Sequence, residues 1–180
     1  MLGVDSLQSQ RVLFDFEKLT MTISAARRDE EKTGSDTIVV RARSLFGHLI
    51  LADARANGQK VWVIIDTGSQ ASIGNEALRR KLIGKKRLGP MTPIELSSVT
   101  GGMVPADYTR INGLTIGGIT LVDMPIAFAD VHPFKKLGLT DRPALLLGMD
   151  TLISFKKVSV DFINRRVLFI MPDQPNRNTR

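Results

Sequence analysis

The chain has 180 residues, enough for one ordinary domain with extensions, and its 43% hydrophobic content makes it globular rather than disordered. It holds no cysteine, which excludes disulfides, thiol catalysis and cysteine-ligated metals. The net charge is +7, but no run of 18 apolar residues is present, so no transmembrane segment is expected.

The first block, Leu2-Gly3-Val4-Asp5-Ser6-Leu7, lacks the basic start and apolar centre of a secretory signal. It is followed by Val12-Leu13-Phe14-Asp15-Phe16 and Leu19-Thr20-Met21-Thr22-Ile23. The same order of polarity returns near the other end, as Leu147-Gly148-Met149-Asp150-Thr151-Leu152, Val158-Ser159-Val160-Asp161-Phe162 and Val167-Leu168-Phe169-Ile170. Self-similarity of this kind marks a repeat. Residues 1–24 therefore read as the tail of an upstream copy. Residues 25–35, polar and charged, read as a linker.

Strand signals dominate from residue 36. Thr37-Ile38-Val39-Val40-Arg41-Ala42-Arg43 and Leu49-Ile50-Leu51-Ala52-Asp53-Ala54 are β-rich, and Asn57-Gly58 is a hairpin turn signal. Val61-Trp62-Val63-Ile64-Ile65 is apolar on both faces, as a central strand is. It ends in Asp66-Thr67-Gly68-Ser69. A carboxylate held at the end of a strand, beside hydroxyls and backbone N–H groups that fix its plane, is placed for acid–base chemistry. Gly68 is expected where a side chain would clash in a tight turn. Asn75 reads as the N-cap of a helix with Leu78 and Leu82 on its apolar stripe.

Residues 79–87 hold six basic side chains: Arg79, Arg80, Lys81, Lys85, Lys86 and Arg87. With aromatics at only 6%, no stacking platform accompanies them, so they read as a solvated face and no nucleic-acid partner is expected. Ile94 to Val99 and Met103 to Tyr108 are extended arms joined through Thr100-Gly101-Gly102. A further hairpin is expected over 111–119, a strand over 124–129 and a loop over 130–142. Ala144-Leu145-Leu146-Leu147 is a second buried strand, ending in Gly148 and a short helix. Asp150 is read as a helix cap or ion-pair partner rather than a reacting group. Residues 172–180 read as a disordered tail. Neither His48 nor His132 has metal-ligand spacing, and Gly113, Gly117 and Gly118 form no dinucleotide pattern, so no metal and no cofactor are expected.

Two apolar strands, one ending in Asp-Thr-Gly and the other in Leu-Gly before a short helix, with a glycine-tipped hairpin between them, resemble the retropepsin-like aspartic proteases. The resemblance covers residues 36–171. It implies an all-β fold, a closed barrel with a psi loop through Leu147 and Gly148 and one or two short helices, here as the C-terminal lobe of a tandem repeat. It implies an aspartic endopeptidase in which Asp66 is catalytic and Thr67, Gly68 and Ser69 support it, Ser69 by donating to the carboxylate. Val99, Thr100, Gly101, Gly102 and Met103 then form a flap over a bound peptide or protein substrate. Each lobe of such an enzyme carries one Asp, so the second comes from a homodimer partner or the upstream copy. The rival is a peptide-binding or dimerisation module of the same fold with little turnover. Tandem bacterial proteases of this type are often exported, which points to the periplasm or cell envelope and leaves the cytoplasm open.

Overall fold

The computed structural model describes residues 10–25, 36–45, 48–97 and 101–173. The block at Leu2 to Leu7, the expected linker over 25–35 apart from Ala25 (the last residue of a strand), the expected flap residues Val99 and Thr100, and residues 174–180 lie outside that set. Strands take 54% of the fold and helices 12%, which makes it all-β as expected.

In chain order the strands are β1 (Gln10–Asp15), β2 (Thr20–Ala25), β3 (Thr37–Arg41), β4 (Arg43–Leu45), β5 (His48–Ala56), β6 (Gln59–Ile65), β7 (Ile73–Gly74), β8 (Thr92–Ser97), β9 (Met103–Ile116), β10 (Ile119–Phe128), β11 (Ala144–Leu147), β12 (Lys157–Asp161) and β13 (Arg166–Ile170). Three helices join them: α1 (Glu76–Gly84), α2 (His132–Lys136) and α3 (Met149–Leu152).

Six strands close into a barrel in the order β5-β6-β11-β7-β10-β9, with β9 returning to β5 through Ala54↔Ile116. Closure removes free edges from these strands. The central strands alternate between two cores, because successive side chains of a strand point to opposite faces. Val61, Val63, Leu145 and Leu147 face the main core with Ile111, Leu114 and Ile116. Ile64, Ala144 and Leu146 face a second core with Ile50, Ile73 and Phe134. Each fully buried Val, Leu or Ile stabilises the fold by about 1.5–3 kcal/mol before entropy is subtracted. A strand apolar on both faces is therefore held centrally.

The turn between β5 and β6 is the expected one, with Asn57 and Gly58 both at positive φ (44° and 73°). Helix α1 starts at the expected cap: the Asn75 carboxamide oxygen accepts from the Leu78 N–H at 2.9 Å. Ala77, Leu78 and Leu82 are its buried face. The segment 37–43 is not one strand. The chain breaks at Ala42, whose N–H donates to the Arg165 carbonyl. That turns β3 into one sheet and β4 into the other. The expected loop over 130–142 contains α2, anchored by the buried Phe134.

The second sheet runs β2-β1-β12-β13-β3. Residues 12–23 thus form a hairpin beside the C-terminal hairpin, with β1 antiparallel to β12. Pro172 and Asp173 at the end are described, and Asp173 pairs with Lys156.

Candidate active site

Strands β6 and β11 run parallel, in register from Trp62↔Ala144 to Ile65↔Leu147. Their ends therefore lie side by side, and the Asp66 N–H donates to the Leu147 carbonyl at 3.0 Å. Asp66 is half-buried at the end of β6. The Gly68 N–H donates to its Oδ1 at 3.1 Å, and the Ser69 N–H donates to its backbone carbonyl at 3.3 Å. The carboxylate is oriented by backbone, not by hydroxyls. The Ser69 hydroxyl donates to the Ala71 carbonyl at 2.7 Å, which corrects the expectation that it serves the carboxylate. Thr67 and Gly68 are exposed.

Gly68 has room. A Cβ there would lie 3.4 Å from Asp66 Oδ1, an ordinary contact. The expected clash is absent, because the turn opens outward. Next to this turn, packing does require two glycines, Gly148 and Gly74. A Cβ on Gly148 would approach the Ala71 carbonyl oxygen to 2.4 Å, and one on Gly74 would approach the Phe128 ring to 2.7 Å.

Among the described residues Asp150 is neither cap nor ion-pair partner. Gly148 is the N-cap of α3 and no side chain caps that helix. The Asp150 carboxylate instead crosses to the loop after β6. Its Oδ2 accepts from the Ser72 N–H at 3.0 Å and its Oδ1 accepts from the Ser72 hydroxyl at 2.6 Å. The Ser72 hydroxyl, fully buried, also accepts from the Gly148 N–H at 3.1 Å and lies 2.8 Å from Thr151 Oγ1. Met149 and Asp150 N–H groups donate to the Ser69 and Gln70 carbonyls. Residues 69–72 are thereby stitched to 148–151 around one hydroxyl. Sequence reasoning missed Ser72. Its only local signal is a small polar residue just before the short strand β7.

Asn75 holds the far side of this frame. Its amide accepts from Leu78 and Ala144 N–H groups and donates to the Leu139 and Arg142 carbonyls, using all its bonding capacity. Two members of the basic cluster are structural rather than merely solvated. Arg79 pairs with Asp107 at 2.7 Å, and Arg87 donates to the Asn57 carbonyl at 2.6 Å.

Strands β8 and β9 make a long hairpin in register from Thr92↔Tyr108 to Ser97↔Met103, with Gly101 at φ 89°. Gly101, Gly102 and Met103 are exposed at its tip. A groove of ≈ 490 Å³ runs between α1 and the base of this hairpin, lined in part by Arg79, Ile94, Ala106 and Phe134. Asp66 does not line it: Asn75, on its wall, bonds to Ala144 at the start of β11, whereas Asp66 lies beside Leu147 at the other end. Among the described residues no group of three or more His, Asp and Glu side chains is placed to hold a metal ion.

A barrel with two parallel strands ending side by side, one in Asp-Thr-Gly, defines an aspartic-protease lobe. The aspartyl protease family pattern matches residues 52–151, more than half of the chain, and the chain belongs to that family as a retropepsin-like member. A crystal structure of a retropepsin-like aspartic protease from Rickettsia conorii has a similar fold. It is 22% identical, with a TM-score of 0.51, and the match covers 75% of this chain and 90% of that one. Basic 7S globulin from soybean is more distant, at 12% identity and a TM-score of 0.44, over 91% of this chain and 52% of that one. No curated protein sequence matches the chain.

Proposed function

We propose that this protein is an aspartic endopeptidase in which Asp66 supplies one of two carboxylates, the other coming from a second lobe. The observation that carries the reading is the half-buried Asp66 carboxylate in an outward-opening turn, oriented by the Gly68 N–H and mounted on a frame locked by Ser72 and Asp150. Family membership and the retropepsin-like fold support it.

Two carboxylates at contact distance share one proton, because like charges that close do not both ionise. The ionised member takes a proton from a water held between them. The water oxygen attacks the peptide carbonyl carbon while the protonated member gives its proton to the carbonyl oxygen. The tetrahedral intermediate collapses with cleavage of the C–N bond and proton transfer to the leaving nitrogen. Gly68 leaves space beside the carboxylate for the second lobe and the substrate. The β8–β9 hairpin, with Gly101, Gly102 and Met103 exposed at its described end, acts as a flap whose backbone binds the peptide as an added strand.

The test is hydrolysis of an unbiased peptide library at mildly acidic pH by wild type and Asp66→Asn, with circular dichroism to check folding. Cleavage lost in a folded Asp66→Asn variant supports the proposal. Cleavage retained in that variant refutes it, and a wild type paired with its second lobe that binds peptides without cutting them favours the binding module.

A further inference from the structure

The two hairpins of the second sheet are equivalent residue by residue. Adding 146 to a number in β1–β2 gives its counterpart in β12–β13: the closing pair Asp15↔Thr20 becomes Asp161↔Arg166. The turns match. The Lys18 N–H donates to Asp15 Oδ1 at 3.0 Å and the Asn164 N–H to Asp161 Oδ1 at 3.0 Å. The next residue is left-handed in both, Leu19 at φ 53° and Arg165 at φ 49°.

The contact between the hairpins is symmetric under the same displacement. Leu13 pairs with its own counterpart Ser159, Val12 pairs with the counterpart of Phe14, and Phe14 with the counterpart of Val12. The Phe16 N–H donates to the Lys156 carbonyl, and its counterpart Phe162 donates to Gln10, the counterpart of Lys156. Each ladder end sets a base against an acid, Arg11↔Asp161 and Lys157↔Asp15. Such self-complementary pairing is what a local two-fold axis through Leu13 and Ser159 produces.

The symmetry fails in one respect. Val158, Val160, Val167 and Phe169 are buried against the barrel core. Register puts Val12, Phe14, Met21 and Ile23 on the same face of the sheet. Val12 and Phe14 lie at the seam, but Met21 and Ile23, counterparts of the buried Val167 and Phe169, are 56% and 36% exposed. Among the described residues β2 pairs only with β1, whereas its counterpart β13 also pairs with β3.

We infer that the Met21–Ile23 face is the seat of a second lobe of this same fold, one for which β1–β2 is the C-terminal hairpin, in the same polypeptide ahead of residue 10. A second copy of this chain does not fit the seat, because its barrel already rests on its own β12–β13. Nor can a second copy pair along β12, whose free side is taken by β1. The inference deepens the proposed function by naming the partner of that site. Its readouts are mass and labelling, so it stands or falls separately from proteolysis, and Asp66→Asn leaves both readouts unchanged.

The chain has no native cysteine to interfere with thiol labelling. Sedimentation equilibrium of the 180-residue chain is expected to give a monomer. In that chain Met21→Cys reacts quickly with a maleimide, and Val167→Cys reacts at least about 10-fold more slowly, as buried groups do. In the polypeptide that the native cells express from the same gene, the thiol introduced by Met21→Cys is expected to be as protected as the one introduced by Val167→Cys. Ile23→Cys repeats the test at a second position if Met21→Cys does not fold. A homodimer of the 180-residue chain that is broken by Met21→Asp overturns the inference. So does a Met21→Cys thiol that labels as fast in the cell-derived protein as in the shorter chain.

Discussion

The turns that follow β6 and β11 begin as neighbours and end as opposites. Both leave parallel apolar strands paired at Ile65↔Leu147, and each contains one glycine and one aspartate. After β11 every group is used: Gly148 has backbone packed where its Cβ would be, and Asp150 is bonded to Ser72. After β6 the turn is open: Gly68 is exposed with room for a side chain, and among the described residues the Asp66 carboxylate is held by the Gly68 N–H. One strand end is filled for rigidity so that the other can present a carboxylate in a fixed direction without being enclosed. The aspartate with more partners is the structural one.

Substitutions should separate the two turns. The largest expected effect is Asp66→Asn, a loss of peptide hydrolysis of about 10²–10⁴-fold, the usual contribution of a positioned acid or base. The thermal midpoint should barely move, because that side chain supports little of the frame. Gly148→Ala comes next, destabilising by about 3 kcal/mol through overpacking against the Ala71 carbonyl, read by urea unfolding. Gly68→Ala is its control, with a stability change of less than about 0.5 kcal/mol but impaired cleavage. If the two alanines destabilise equally, the contrast is wrong. Ser72→Ala should cost about 1–3 kcal/mol, since it leaves the Gly148 N–H and the Asp150 carboxylate short of a partner.

The smallest effect concerns the other sheet. Hydrogen bonds from the Lys157 ammonium and then the Lys18 N–H hold the Asp15 carboxyl below its usual range. A carboxyl whose folded value is depressed adds stability above its unfolded value, about pH 4. That stability is lost as pH falls through the folded value. Acid should therefore loosen the β1–β12 contact, and Asp15→Asn should flatten this part of the stability–pH curve, followed by hydrogen exchange in β1. An unchanged curve would remove Asp15 from the account.

Much of the fold was legible locally. Val61 to Ile65 and Ala144 to Leu147 read as buried strands because their apolar runs leave no polar face, and Asn57-Gly58 and Asn75 announce a turn and a cap by their own chemistry. The break at Ala42 was not legible, since it depends on the carbonyl of Arg165, far away in the chain. Ser72 and the true partner of Asp150 were missed for the same reason: 78 residues separate the two groups in the chain. Gly68 was misread because its neighbours in sequence predict a crowded turn, while its neighbours in space leave one side empty.

By itself the sequence determined the two central buried strands, the turn chemistry and the acidic group that ends β6, because hydrophobic period, φ preference and capping act within a few residues. It also carried the likeness of the two terminal hairpins. Only the tertiary structure decided which glycine is sterically required, which aspartate is tied down, and that the hairpins meet about a common axis with one of them half uncovered. Those outcomes depend on which distant surfaces come into contact, and no local window of the chain contains both sides of such a contact.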